Sequence, residues 1–333
     1  MCKHKKSIDL DLEKLRISAQ PVEFSDLTTD VLEVIIGNLE LKERARLEKV
    51  SHGLRRISTS VKPPVDCLTF CHYSDHITIR SNSVDIDFSK KIDPIHLPSI
   101  RLVISPDFVK LAYNDFWSLL KHSKLHLNYL SFCSDHSIYH ENILSFNHQQ
   151  RLLKNRLASL GYKIAVEHFS NQWNEPEDVT AILPYLKPGI LHTINIWTCS
   201  MTPNIDEIVE MEQWKQAKKV VIRGLVTCAV EHFCHLDQFD IEFQSISVEQ
   251  LVKLRDTLSK SPNFQRCKIE MPRVNDAYFE EFRRGLQLDG YRRYRIPNSN
   301  QVLKFGLQVC VNYSVINISR EEFVDFNLNY EGF

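Results

Sequence analysis

The chain has 333 residues, enough for a small module followed by a larger one. Its 41 basic and 42 acidic side chains leave a formal charge of -1, so no global field draws it to nucleic acid or to an anionic membrane surface. No apolar run approaches the roughly 18 residues of a membrane span, and nothing in the sequence matches a glycine-rich phosphate loop, a zinc-protease helix or a serine-hydrolase elbow.

Residues 1–21 read as a loosely ordered arm without the apolar core of a signal peptide. The 9 cysteines follow no regular framework and are expected to be reduced thiols, which places the chain in the cytoplasm, with the nucleus as the alternative. Residues 22–62 form the first module. Leu27, Val31, Ile35 and Leu39 recur every four residues, and Leu32 and Ile36 widen the stripe. Leu41, Leu47, Val50, Leu54 and Ile57 follow on two shorter helical pieces. Three helices this small cannot cover so broad an apolar face, so a partner's helices are expected to dock on it.

Pro63 and Pro64 end the helical pattern. Residues 63–106 change to the two-residue period of short strands, through Leu68, Phe70, Ile77, Ile79, Ile86 and Phe88. From 107 to 320 an amphipathic helix, a turn and a short strand recur. Helices are expected at 107–121, 143–159, 177–186, 205–215 and 247–260, each leading to an apolar strand. Stacked units would share a parallel sheet with helices outside. Segments 291–297, 302–309 and 313–319 read as closing strands, and 321–333 as a tail.

Leu27, Val31, Leu32, Ile35, Ile36, Leu39, Leu41, Arg44, Leu47, Val50, Ser51, Leu54 and Arg55, in this order, resemble an F-box of the type expanded in nematodes. Thr28 stands where that family usually has proline, and Leu54 where it usually has tryptophan. Segments 178–197, 206–222, 245–269 and 291–307 are similar, in this order, to the FTH-type domain that accompanies this F-box. The resemblance implies an α+β chain: an all-α three-helix F-box, then an irregular leucine-rich-repeat-like α/β array with closing C-terminal strands. It also implies a non-catalytic substrate-recognition adaptor of an SCF-type cullin–RING ubiquitin ligase. The F-box would bind a Skp-family adaptor, and the FTH-type domain a target protein. A non-degradative scaffold for a protein or ribonucleoprotein is the alternative.

The side chains expected to meet the adaptor are Leu27, Val31, Leu32, Ile35, Leu39, Leu41, Val50 and Leu54. Trp173 in a polar loop and Trp197 at a strand end are candidates for target binding, because tryptophan anchors interfaces. Trp117 and Trp214 fall on amphipathic helix faces and are expected to pack inward. Arg293 and Arg295 share a strand face, where they would meet an acidic ligand or form a solvated edge. The basic stretch Lys42–Arg56 reads as a rim facing an acidic protein partner. Cys67, Cys71, His72 and His76 lack the loop that separates zinc-ligand pairs, and neighbouring strand residues face opposite ways. Cys228, His232, Cys234 and His235 likewise form no two clean pairs, so neither a metal nor a cofactor is expected.

Overall fold

The computed structural model describes residues 26–73, 75–82, 85–90, 101–134, 143–172, 179–198, 205–289 and 292–323. The arm at 1–21, Trp173 and most of the tail lie outside them. The chain divides between Pro64 and Val65 into two compact units.

The first unit holds helices α1 (Thr29–Gly37), α2 (Leu41–Leu47) and α3 (His52–Ser60). Each start has a local cause. Thr28 is extended, and its carbonyl accepts the first helical bond from Leu32 at 3.0 Å. At α2 the Glu43 carboxylate reaches back to the Glu40 N–H at 3.0 Å. At α3 the Ser51 Oγ accepts from the Leu54 N–H at 3.1 Å. Leu32 and Ile36 carry the buried stripe of α1. The unexpected core member is Arg44, which belongs to the presumed basic rim but is buried. Its guanidinium donates to the carbonyls of Gly37 at 3.0 Å, Leu39 at 3.2 Å and Lys62 at 2.6 Å. These tie the end of α1 to the segment after α3. Burial pulls its pKa down, with Glu48 acting in the opposite sense.

The second unit, Val65–Phe333, contains one sheet. Among the described residues its thirteen strands run in the order β11-β12-β13-β10-β9-β8-β7-β6-β5-β1-β2-β3-β4. The early strands are β1 (Cys67–His72), β2 (His76–Ser81), β3 (Asp85–Ser89) and β4 (Arg101–Ile104). Helix α4 (Phe108–Leu120) leads to β5 (His126–Ser134), and α5 (Ile143–Ala158) to β6 (Ala165–Gln172). A 3-10 turn at Leu183–Tyr185 precedes β7 (Thr193–Trp197). Two single-turn helices, α6 (Asp206–Val209) and α7 (Glu212–Lys215), precede β8 (Lys219–Val226). A second 3-10 turn, Val230–Phe233, precedes β9 (Gln238–Phe243). Helix α8 (Val248–Lys260) leads to β10 (Arg266–Pro272), and α9 (Asp276–Gly285) is followed by β11 (Arg293–Arg295), β12 (Gln301–Val309) and β13 (Tyr313–Glu322).

Strands β1 and β5 to β10 are parallel, each beside the next in sequence. Antiparallel pairs flank them: β1 with β2 and β2 with β3 on one side, where β4 then joins β3 in parallel, and β10 with β13, β13 with β12 and β12 with β11 on the other. The strand starts are levelled by a repeated device. The Asp66 carbonyl receives N–H groups from both Asn128 and Tyr129, the His192 carbonyl from Lys218 and Lys219, and the Lys218 carbonyl from Asp237 and Gln238. Both border strands are short: β4 has 4 residues and β11 has 3.

Alternate residues build the core. Phe70, Phe132, Phe169, Ile194, Ile196, Val220, Ile222, Ile241 and Ile269 are all buried. On α4, Tyr113 meets Phe70 edge to face and Phe116 meets it tilted, with ring centroids 4.7 and 4.8 Å away. Parallel strands advancing in one direction through crossovers of one hand put their connections on this face. The helices expected at 177–186, described from residue 179, and at 205–215 shrink to single turns. Pro184 lacks an N–H and cannot extend a helix. Met211 is extended and splits α6 from α7. Strand β9 has no counterpart in the sequence reading, although Phe239, Ile241 and Phe243 alternate within it.

Candidate protein-docking surfaces

On the first unit, apolar side chains remain outside the core. Val31 is 43% exposed, Val34 66% and Val50 73%. Val31, Val34 and Ile35 lie on neighbouring turns of α1, so they form a second apolar stripe beside the buried one. Of the expected adaptor residues, Leu27, Ile35, Leu39 and Leu54 are half-buried and Leu32 is buried within the unit. The side chain of Leu41 lies outside the described residues. Sequence reasoning missed Val34, although its spacing of three from Val31 was the available signal.

On the second unit, the face opposite the hydrophobic rows carries polar residues in register. Thr69, Ser131, Ser170 and Asn195 follow one another across β1, β5, β6 and β7. Ser131 and Ser170 are buried. Trp197 ends β7 on this face, 48% exposed, with Arg223 as its register partner on β8. Arg223 makes a two-pronged bond to the Asp240 carboxylate, both contacts 2.7 Å. That hydrogen bond raises the Arg223 pKa above its ordinary value. Glu242 accepts the Gly224 N–H at 3.1 Å, and Lys268 pairs with Glu270. The result is a fixed lattice of alternating charge beside an exposed indole.

Arg293 and Arg295 do share a face, and both guanidiniums lie over the Phe323 ring, at 5.1 and 3.9 Å. Arg293 is also bonded to Asp289 at 2.9 Å. Trp214 is buried, and its N–H donates to the His232 carbonyl at 3.1 Å. Trp117 is half-buried with Arg156 over its ring. A cleft of about 440 Å³ between Asp237, Phe264, Gln301 and Arg320 is polar, and its arginine is engaged by the end of α8, donating to the carbonyls of Leu258 and Ser261 at 2.6 Å each.

The cysteine–histidine runs do not converge. Cys71 is joined by a disulfide to Cys133, which departs from the expectation of thiols throughout. His72, on the opposite face, is buried, and its pKa is lowered to about 4 by burial and then by His76. Burial also pushes the Cys228 thiol up to about 12 and Cys234 to about 11, far from a reactive thiolate. Among the described residues no group of three or more His, Cys, Asp or Glu could hold a metal ion. No helix among them is long and apolar enough to cross a membrane.

Helices with an exposed aliphatic stripe, followed by a sheet domain with a polar, tryptophan-bearing face, define a two-module binding protein. The chain matches the F-box domain model over residues 24–66 and the FTH domain model over 147–283. It is similar to F-box A protein 224 of Caenorhabditis elegans, 23% identical over 265 residues that cover 75% of this chain and 67% of that protein. The chain is an F-box protein whose larger domain is of the FTH type. F-box proteins are in general non-catalytic adaptors of ubiquitin ligase complexes.

Proposed function

We propose that this chain is a substrate-recognition subunit of an SCF-type cullin–RING ubiquitin ligase. Its F-box binds a Skp-family adaptor, and its FTH domain binds the protein to be modified. The observation that carries the reading is the exposure of Val31, Val34 and Val50 on an F-box. Three aliphatic side chains left in water on so small a unit favour a protein cover. Leu27, Ile35, Leu39, Leu41 and Leu54 extend the contact, while Leu32 supports it from within.

The FTH domain acts as an irregular relative of a leucine-rich-repeat arc and holds the target on its polar sheet face. Trp197 is the anchor and the Arg223–Asp240 pair its fixed neighbour. Trp173, outside the described residues, is a further candidate contact for the target. Arg293 and Arg295 contribute as a rigid rim stacked on Phe323. Catalytic acceleration comes from holding target lysines close to a ubiquitin-charged enzyme. The protein works in the cytoplasm or nucleus, where such ligases meet their targets.

Co-purification with a Skp-type adaptor tests this. The wild-type chain is expected to form a stable complex at micromolar concentration. The double substitution Leu27→Asp and Val31→Asp is expected to abolish it while the unfolding transition of the sheet domain stays in place. Absence of a wild-type complex would remove the basis of the reading. A complex that binds target without transferring ubiquitin would favour the scaffold alternative.

A further inference from the structure

Cys71 and Cys133 are 62 residues apart in sequence, yet they are register partners on the adjacent parallel strands β1 and β5. Their Cα atoms are 4.7 Å apart, within the span a disulfide bridges. The backbone ladder itself sets this distance, so the folded domain holds the two sulfurs together whether or not they are bonded. The two sites differ in access. Cys71 is buried, whereas Cys133 is half-buried and can be reached from outside. Cys67, on the same strand as Cys71, is exposed and has Tyr129 as its partner on β5, not a cysteine.

We propose that Cys71 and Cys133 form a reversible, redox-controlled staple across the β1–β5 ladder. The oxidant is a low-molecular-weight disulfide of the glutathione type. The Cys133 thiolate attacks one sulfur of glutathione disulfide, forming a mixed disulfide and releasing one glutathione thiolate. The Cys71 thiolate then attacks the Cys133 sulfur, closes the protein bond and releases the second glutathione. The protein loses two protons and two electrons, and one glutathione disulfide becomes two glutathione thiols. Excess glutathione runs the sequence backwards.

The staple sits where the antiparallel start of the sheet joins its parallel run. Closing it ties β2, β3, β4 and α4 into one covalent loop with β5. Crosslinking a loop of this size restricts the unfolded chain, so the unfolding midpoint of the sheet domain rises by about 5–10 °C. The bond shares its face with Trp197, two strands away, or about 10 Å. Oxidation therefore stiffens the surface proposed for target binding, but the inference does not depend on that function.

The full-length chain is equilibrated in glutathione buffers from fully reduced to fully oxidised, alkylated with iodoacetamide, digested and mapped by mass spectrometry. The expected result is a Cys71–Cys133 crosslinked peptide that accumulates with glutathione disulfide and disappears in excess glutathione. The unfolding midpoint should follow it in the wild type and stay constant in Cys133→Ser. If Cys71→Ser or Cys133→Ser does not fold, the wild-type peptide map alone decides. Full alkylation of both thiols in the oxidised buffer overturns the proposal. So does a crosslink through Cys67, or a bond that survives excess glutathione.

Discussion

Arg44 places a permanent cation inside a module of three short helices, and three backbone carbonyls surround it. Replacing it by Met removes the donor and leaves those acceptors unpaired, at a cost of about 2–4 kcal/mol. Amide exchange in α1 and α3 of Arg44→Met is expected to speed up roughly 30-fold or more, while exchange in the sheet domain is unchanged. Unchanged protection in the helices would show that the bonds are dispensable. His72 gives a pH-dependent counterpart in the other unit. Its pKa falls from an ordinary value near 6.5 to about 4 because burial opposes the charged ring. Between these values the unfolded chain binds a proton that the folded chain excludes. The associated stability is complete above pH 6.5 and declines as pH falls toward 4. Denaturant titrations should show a loss of about 2 kcal/mol between pH 6.5 and 5 that is absent in His72→Gln. A parallel loss in both proteins would assign the effect to other groups. Legibility at this scale was uneven. The shared face of Arg293 and Arg295 followed from strand alternation, whereas their common partner Phe323 lies beyond two intervening strands and leaves no local trace. The sequence places Arg44 on the surface because acceptors that are backbone carbonyls, as its three are among the described residues, leave no side-chain partner in the sequence to reveal it.

Elements were legible where one period persisted. The alternation in β1, β2 and β12 and the four-residue recurrence in α1 were read with the right type. The middle connections were misjudged because apolar residues such as Ile182, Leu183, Ile205 and Ile208 fill the core equally well from a turn. Periodicity reports which residues are buried, and a proline or one extended residue then decides whether a helix forms. The Cys71–Cys133 pair was beyond reach because register between strands 62 residues apart is a product of stacking. The packing of α9 against α8 gives a test at this scale. A Cβ on Gly285 would stand 2.5 Å from Val248 Cγ1, and Val248 is stiff at χ1. Alanine gains helix propensity of up to about 1 kcal/mol there, yet overpacking costs about 1–3 kcal/mol. Gly285→Ala is expected to lower the denaturant midpoint, and adding Val248→Ala should recover part of the loss. A stabilised single variant would mean that the two helices separate freely.

At the scale of the molecule, the two units bring different chemistry: aliphatic side chains on α1 and beyond α2, and an indole with paired charges on the sheet. Their proposed partners should therefore be separable. Trp197→Ala is expected to weaken target capture by tenfold or more, as for a central aromatic anchor, and to leave adaptor binding within twofold. Equal loss of both would refute the division of labour. The F-box and the FTH domain were legible because ordered motifs spread over most of the chain are far more specific than any single one. The strand count and the flanking antiparallel pairs were not, since they depend on pairings between distant segments.

The sheet's outermost members, β4 and β11, are each only a few residues long, and both carry arginine. Positive charge on a brief border discourages a foreign strand from zipping on. Because the parallel run β5 to β10 lies between these margins, a βα unit gained or lost within it would leave both as they are. A lineage could lengthen or shorten this platform, and so vary the reach of its ligand surface, without creating a sticky rim.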